Sequence, residues 1–338
     1  MGNSILKQMA SIVINESVVK ERGGNAADVI QEIIDNNPNR TIYFADGVYV
    51  VDKPICTPAD PTKSVDLSLA RFAVIKASDN WNHSEAVVRL GGKDPFNTIR
   101  VNGSNYSLTG GIIDGSGIAN GISIDSGRET LVQDVSIKNT KIGLYVKFGA
   151  NNGSSDCDIR QVNIVGNKAH DSIGVFVAGL DNRFSNMRIA DVFTGVRVVA
   201  PGNFFSDIHP LYTLDYTDYS ESCAFRDEIE NNWYFNCYND QFGIGFYFTK
   251  GGTHILTNCY NYWYSSNGGR HIGIKNNGPF NSSIVDFKMD TRDNCDNIVL
   301  EHNGEGGVGI FERLSVKGAH RLKGDDYVKF MKDNLIER

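Results

Sequence analysis

The chain has 338 residues and a formal net charge of −7, long enough to bury a large core in one elongated domain or two compact ones. That acidic balance argues against a nucleic-acid or anionic-membrane partner, since either needs a basic face, and no apolar run of about 18 residues is present to span a bilayer. The 35 glycines, the many asparagines and only 8 prolines suit short strands joined by turns.

Residues 1–20 lack a basic head followed by an unbroken apolar core, so no signal peptide is expected there. Leu6 stands where a myristoylation signal carries Ser or Thr. The expected location is virion-associated, cytoplasmic, or secreted after loss of a leader. Cysteines 56, 157, 223, 237, 259 and 295 stand singly, without a CxxC pair. Buried free thiols are expected rather than a zinc, redox or disulfide framework.

The best helix covers residues 26–37. Ala26, Val29, Ile30, Ile33 and Ile34 form one apolar stripe and Asn25 can cap it. Thr41-Ile42-Tyr43-Phe44, the turn Asp46-Gly47, Val48-Tyr49-Val50-Val51 and Pro54-Ile55 then read as strand, turn, strand. This order, from Gly23-Gly24-Asn25 to Pro54-Ile55, resembles the opening segment of the pectate-lyase-like superfamily of right-handed parallel β-helices, to which phage tailspikes and many polysaccharide-degrading enzymes belong. It departs in one place: Gly24-Asn25-Ala26-Ala27 replaces an acidic pair common before this helix. The resemblance implies a right-handed fold and, through the tailspikes, a homotrimer.

From Tyr106 onward two strand patterns alternate. An amide or carboxylate precedes an apolar residue at Asp134, Gln161, Asn186, Asp207, Asn236, Asn258 and Asp286, in steps of 27, 25, 21, 29, 22 and 28 residues. Between them, a small or polar residue leads alternating apolar ones at Gly121, Gly143, Gly174, Gly195, Ser222, Gly245, His271 and Asn297. That period, without helices, is the signature of a parallel β-solenoid. A β-sandwich is the alternative; leucine-rich and ankyrin arrays lack support. The expected fold is therefore all-β, a single-stranded right-handed parallel β-helix. Its N-terminal cap spans residues 1–60, the β-helix 61–318, and a tail or capping helix over 325–337 lies in 319–338.

Insertions in a solenoid gather on one side. The distance from first to second ladder is 9 residues on three coils and grows to 13, 15 and 13 on the coils that start at Gln161, Asp207 and Asn258. Three neighbouring loops are expected, at 166–172, 209–221 and 261–270. They hold aromatic rings and carboxylates, a composition suited to carbohydrate, whose C–H faces meet aromatic planes and whose hydroxyls pair with Asp, Asn and Gln. Glycoside hydrolysis needs two carboxyl groups about 5–5.5 or 6.5–9.5 Å apart, separations that coils about 4.8 Å apart supply. The candidate catalytic residues are Asp207, Asp215, Asp218 and Asp240. The candidate substrate-binding residues are His209, Tyr212, Tyr216, Trp263, Tyr264 and Arg270. Asp227, Glu228 and Glu230 form a second acidic cluster. Asp207 has a plainer reading as a turn residue, and the aromatic residues as loop packing.

The galacturonase motif set is not assembled, and no acidic ladder accompanies Arg270 or Arg292 to support a calcium-dependent lyase. P-loop, dinucleotide and HExxH motifs are absent. The expectation is a carbohydrate-active, glycoside hydrolase-like enzyme with no cofactor and no metal, acting on a polysaccharide or oligosaccharide. The alternative is a non-catalytic glycan- or receptor-binding module of a phage fibre or spike.

Overall fold

The computed structural model describes residues 12–23, 25–93, 106–148, 154–214, 219–264, 270–292, 296–318, 320–323 and 335–337. The chain is a right-handed parallel β-helix. Each rung contributes a strand to a first face (for example Arg40–Phe44), a second (Gly47–Val51) and a third (Ile55–Pro58). Among the described residues the first two faces form one bent sheet of 22 strands, and the third is a separate sheet of 11. Strands 40–44 and 47–51 do not pair with each other; each pairs in parallel with the next rung, at 65–69 and 73–77.

Alternation places every second side chain inside. Leu67, Leu108, Val132, Ile159, Phe184, Phe205, Tyr234, Leu256, Ile284 and Phe311 lie in register as one buried column of the first face. Its aromatic members stack, Phe184 on Phe205 at 4.9 Å and Phe205 on Tyr234 at 5.1 Å. Burial of each such side chain contributes about 1.5–3 kcal/mol, and neighbouring rungs share it.

The amide and carboxylate ladder is the corner between the first and second faces. Asp134, Gln161, Asn186, Asp207, Asn236, Asn258, Asp286 and also Arg313 all lie at φ between +49° and +56°. This left-handed region is one that Asn and Asp enter most easily among side-chain-bearing residues. Their N–H groups donate to the following rung, Asn236 to Thr257 O at 3.1 Å and Asn258 to Val285 O at 2.9 Å, so the hydrogen-bond ladder turns the corner unbroken.

The second ladder differs from expectation by two residues. Gly195 aligns with Ala224 rather than Ser222, and Gly245 and Gly273 share a column that Val299 continues, in place of His271 and Asn297. A one-residue slip would expose the core, whereas a two-residue slip keeps the alternation, so hydrophobic pattern alone does not reveal it. Close packing across the interior fixes the true column. A Cβ at Gly143 would stand 2.5 Å from Ile164 Cγ2 and 2.6 Å from Gly174 O.

At the N-terminal end, helix Ala26–Asp35 buries Ala27, Val29, Ile30, Ile33 and Ile34 against strands 47–51 and 55–58, and Asn25 Oδ1 accepts from Ala27 N at 2.9 Å. It stops two residues short of expectation, where the Asn37 amide bonds Ile33 O at 2.7 Å. A second helix, Glu16–Glu21, has no apolar stripe to announce it. The expected C-terminal helix lies mostly outside the described residues, and its end is instead a strand, Leu335–Glu337, parallel to Leu314–Val316. Cys157, Cys223, Cys237 and Cys259 are buried free thiols and Cys56 is a partly buried one, while burial pushes Cys157 and Cys223 up to about 12.

Two buried polar groups generate expectations. Asp227, fully buried, accepts from Tyr234 Oη at 2.7 Å and Asn232 Nδ2 at 3.0 Å, with His254 Nδ1 3.3 Å away. Asp227→Ala removes a shared acceptor and should cost about 3–5 kcal/mol in urea unfolding; a loss below about 1 kcal/mol would mean that water replaces the carboxylate. His271, stacked on Trp263 at 4.8 Å, has its pKa lowered from 6.5 to about 4 by burial, against a smaller opposing effect of its hydrogen bond to Asn297. The unfolded chain therefore takes up this proton first as pH falls. Stability should be fully present above about pH 6.5 and decline toward pH 4, by on the order of 3 kcal/mol. His271→Gln should flatten that part of the pH–stability curve.

Candidate functional site

Outward-facing side chains of the second face follow from counting past the corner. Two residues beyond it come Arg188, His209, Tyr238, Tyr260, Lys288 and Ser315; four beyond come Ala190, Leu211, Asp240, Tyr262, Asp290 and Lys317. The first column is a stack. His209 lies on Tyr238 at 4.3 Å, Tyr238 on Tyr260 at 5.0 Å, and Lys288 Nζ sits 4.6 Å from the Tyr260 ring centroid.

The second column carries the carboxylates. Asp240 and Asp290 flank Tyr262 one rung to either side, which puts their backbones roughly 9.6 Å apart. His209 Nε2 is 3.4 Å from Asp240 Oδ2, and Lys317 Nζ is 3.8 Å from Asp290 Oδ1. Both carboxylates are partly exposed at the side-chain level, 17% and 15%. The Oδ1 atom of each is sealed from solvent. Arg292 lies 5.6 Å from the Tyr262 ring, and Tyr264, 60% exposed, extends the aromatic strip outward.

Burial, then the Asp240 carboxylate, raises the Tyr238 phenol; burial, then Asp290, raises Tyr260 to about 12. Both phenols thus stay protonated as donors at neutral pH. The surface offers aromatic rings, hydroxyl donors and two carboxylates side by side.

The expected site residues divide. Asp240, His209 and Tyr264 come together here. Asp207 sits at the exposed corner, where it accepts from Asn236 Nδ2 at 3.3 Å, so the turn reading describes its contacts. Tyr212 and Trp263 are 3% and 0% exposed and offer no ring face to a ligand: Tyr212 packs on Tyr219 and Phe242, and Trp263 Nε1 donates to Phe242 O at 2.7 Å. Arg270 opens a third-face strand and pairs with Glu301, away from Asp240. Asp215, Tyr216 and Asp218 lie outside the described residues. In the second acidic cluster, Asp227 is core and Glu228 binds Arg197 and Arg226.

The loops begin later than expected, because strands run on to Leu211 and Trp263. The loop at 166–172 borders a separate polar cavity of about 390 Å³ with Asp79, Asp114 and Asp191. On the third face, Asp125, Glu228 and Glu301 are each held by two cations. Among the described residues no cluster of His, Cys, Asp and Glu is arranged to hold a metal ion.

No protein-family model matches the chain, and no curated protein matches it. Solved structures do. A double mutant of the tailspike protein of E. coli bacteriophage HK620, in complex with pentasaccharide, superposes with a TM-score of 0.68 at 12% identity, over 95% of this chain and 66% of that one. What the two share is the right-handed parallel β-helix fold. Geobacillus virus E2 ORF18 is similar at TM-score 0.53 and 15% identity, over 96% of this chain and 63% of that one. The A-module of a mannuronan C-5 epimerase from Azotobacter vinelandii is similar at 0.53 and 12%, over 92% and 96%. The chain thus spans less than two thirds of the phage proteins that it matches.

Asp290→Asn should lower the pH at which Tyr260 ionises from about 12, and Asp240→Asn should do the same for Tyr238. Ultraviolet difference titration reads both. An unchanged titration in either variant would show that burial alone holds that phenol.

Proposed function

We propose that the outer surface of the second face binds a polysaccharide or oligosaccharide and cleaves or rearranges it with Asp240 and Asp290 as the carboxylate pair. The observation that carries this reading is their placement two rungs apart beside a continuous aromatic strip. Backbones roughly 9.6 Å apart stand just beyond the carboxyl separation of about 6.5–9.5 Å used for inversion, which side chains leaning toward each other would reach. There one carboxyl group protonates the leaving oxygen and the other activates water across the sugar ring. The exposed Tyr264 offers a ring face to pyranose C–H groups. Tyr238 and Tyr260 offer ring edges and hydroxyls because their faces are taken up within the stack, and His209, Lys288 and Arg292 donate to hydroxyl or carboxylate substituents. The pentasaccharide bound by the tailspike structure and the polymannuronan named for the epimerase support a glycan ligand.

The second reading is glycan or receptor binding without turnover. It is favoured by Tyr262, which stands between the two carboxylates with Arg292 beside it. Trimerisation belongs to the proposal too, through the tailspike likeness, and light scattering of the purified chain tests it.

Asp240→Asn and Asp290→Asn should each lower kcat by about 10²–10⁴ on a cleaved glycan while binding changes less than tenfold. Azide should restore turnover in Asp→Ala at the position of the base and not at that of the acid. A bacterial polysaccharide panel read for new reducing ends, unsaturated products and epimerised units decides between the readings: binding with no product in any assay leaves only the binding module.

A further inference from the structure

A cavity of about 800 Å³ opens on the first face, around the corner from Asp240. Its floor follows a register column in which Asp158, Arg183, Phe204 and Trp233 succeed one another on adjacent rungs. Phe235 lies in the neighbouring column and stacks on Phe204 at 5.0 Å, which makes an aromatic platform of three rings, each half-buried. The turn from the third face walls the other side, with Asp156, Asp181 and Gly202. At Gly202, φ +80°, a Cβ would lie 2.1 Å from Asp181 Oδ1, so only glycine lets that backbone approach the carboxylate. None of these side chains belongs to the second-face strip.

We propose that this cavity is a second glycan-binding site, non-catalytic, which takes a short neutral or N-acetylated oligosaccharide segment. Its volume lies within the range of about 300–1,000 Å³ typical of ligand sites, and apolar rings with a few placed polar groups are the usual lining. The rings meet the C–H face of a pyranose, and the carboxylates at its rim accept from hydroxyl and amide N–H groups. Charge sets the class: Asp156 is paired with Arg128 at 2.9 Å and Asp158 with Arg160 at 3.4 Å, which leaves Asp181 and the Arg183 guanidinium facing the space without net charge. A uronate or other anionic sugar finds no surplus cation to pair its carboxylate, whereas a neutral sugar needs only the rings and the hydrogen-bonding groups at the rim. Phe235 and Tyr238 belong to one stretch of chain that passes the Asn236 corner. A long glycan held here is therefore presented toward the second-face strip.

Trp233 is a built-in reporter. It is half-buried at the cavity, while Trp81 and Trp263 are 7% and 0% exposed. The test titrates the full chain with neutral tetrasaccharides of glucose, galactose and N-acetylglucosamine, and with tetragalacturonate as the anionic control, by tryptophan fluorescence and calorimetry. At least one neutral probe should give a saturable fluorescence change and tetragalacturonate none. Trp233→Phe should abolish the optical signal while calorimetry still detects binding. Phe204→Ala should weaken affinity about tenfold and Asp181→Asn severalfold, each with an unchanged circular dichroism spectrum. Asp240→Asn/Asp290→Asn should leave this binding intact, whether or not the second face proves catalytic. The proposal is overturned if no neutral probe binds, if binding persists unchanged in Phe204→Ala and Asp181→Asn, or if it disappears only in the double second-face variant.

Discussion

Everything in this molecule depends on the rungs turning their corners without dropping a backbone hydrogen bond. A parallel sheet that bends must keep donors and acceptors matched between successive rungs, because a buried unpaired N–H or C=O is costly. At the bend between the first and second faces, on the successive rungs from Asp134 to Arg313, one left-handed residue per rung meets this demand, with N–H groups still aimed at the next rung's carbonyl. Side chains on either side are then fixed in or out by parity alone. The core columns, the aromatic stack of the second face and the spacing of its carboxylates all follow from that one repeated conformation.

This explains what could be read in advance. The corner is written in residue types, since Asn and Asp tolerate positive φ where β-branched residues do not, and so its seven expected members all stand where the period puts them. The third face is not marked in that way. Small residues there answer to Ile164, Ile189 and Asn261 across the interior, contacts that no local pattern encodes, and a slip by two residues is invisible to alternation. Within the site, Asp290 was legible by counting four residues past Asp286, just as Asp240 lies four past Asn236. The lengthened loops and their rings mark a different stretch of the chain. The same count turns Trp263 inward, one residue beyond the outward Tyr262.

The repeated tetrapeptide at 236–239 and 258–261 condenses these rules into four positions. Its Asn residues 236 and 258 turn the corner and bond each other side by side. Cys237 and Cys259 fill the core as buried thiols. Tyr238 and Tyr260 stack outside on the candidate surface. Asn239 and Asn261 face inward, where Asn239 Nδ2 donates to Asn261 Oδ1 at 3.0 Å in space that Gly245 leaves open. Corner, core, surface and a buried amide pair are thus set by adjacent residues, and none can shift without moving the other three.

From Asp134 on the corner keeps one left-handed residue per rung, yet the stretch from second to third face varies, from Asn236 to Gly245 on one rung and from Asp207 to Ala224 on another. That variation runs along one seam parallel to the axis, and the return from third to first face forms a second, from Val177 to Arg183 on one rung and from Val146 to Asp158 on another. Along these seams the chain can be lengthened, rewritten or exchanged between lineages rung by rung, while the shaft stays in register. Change at either seam would alter what this protein touches without asking its scaffold to fold differently.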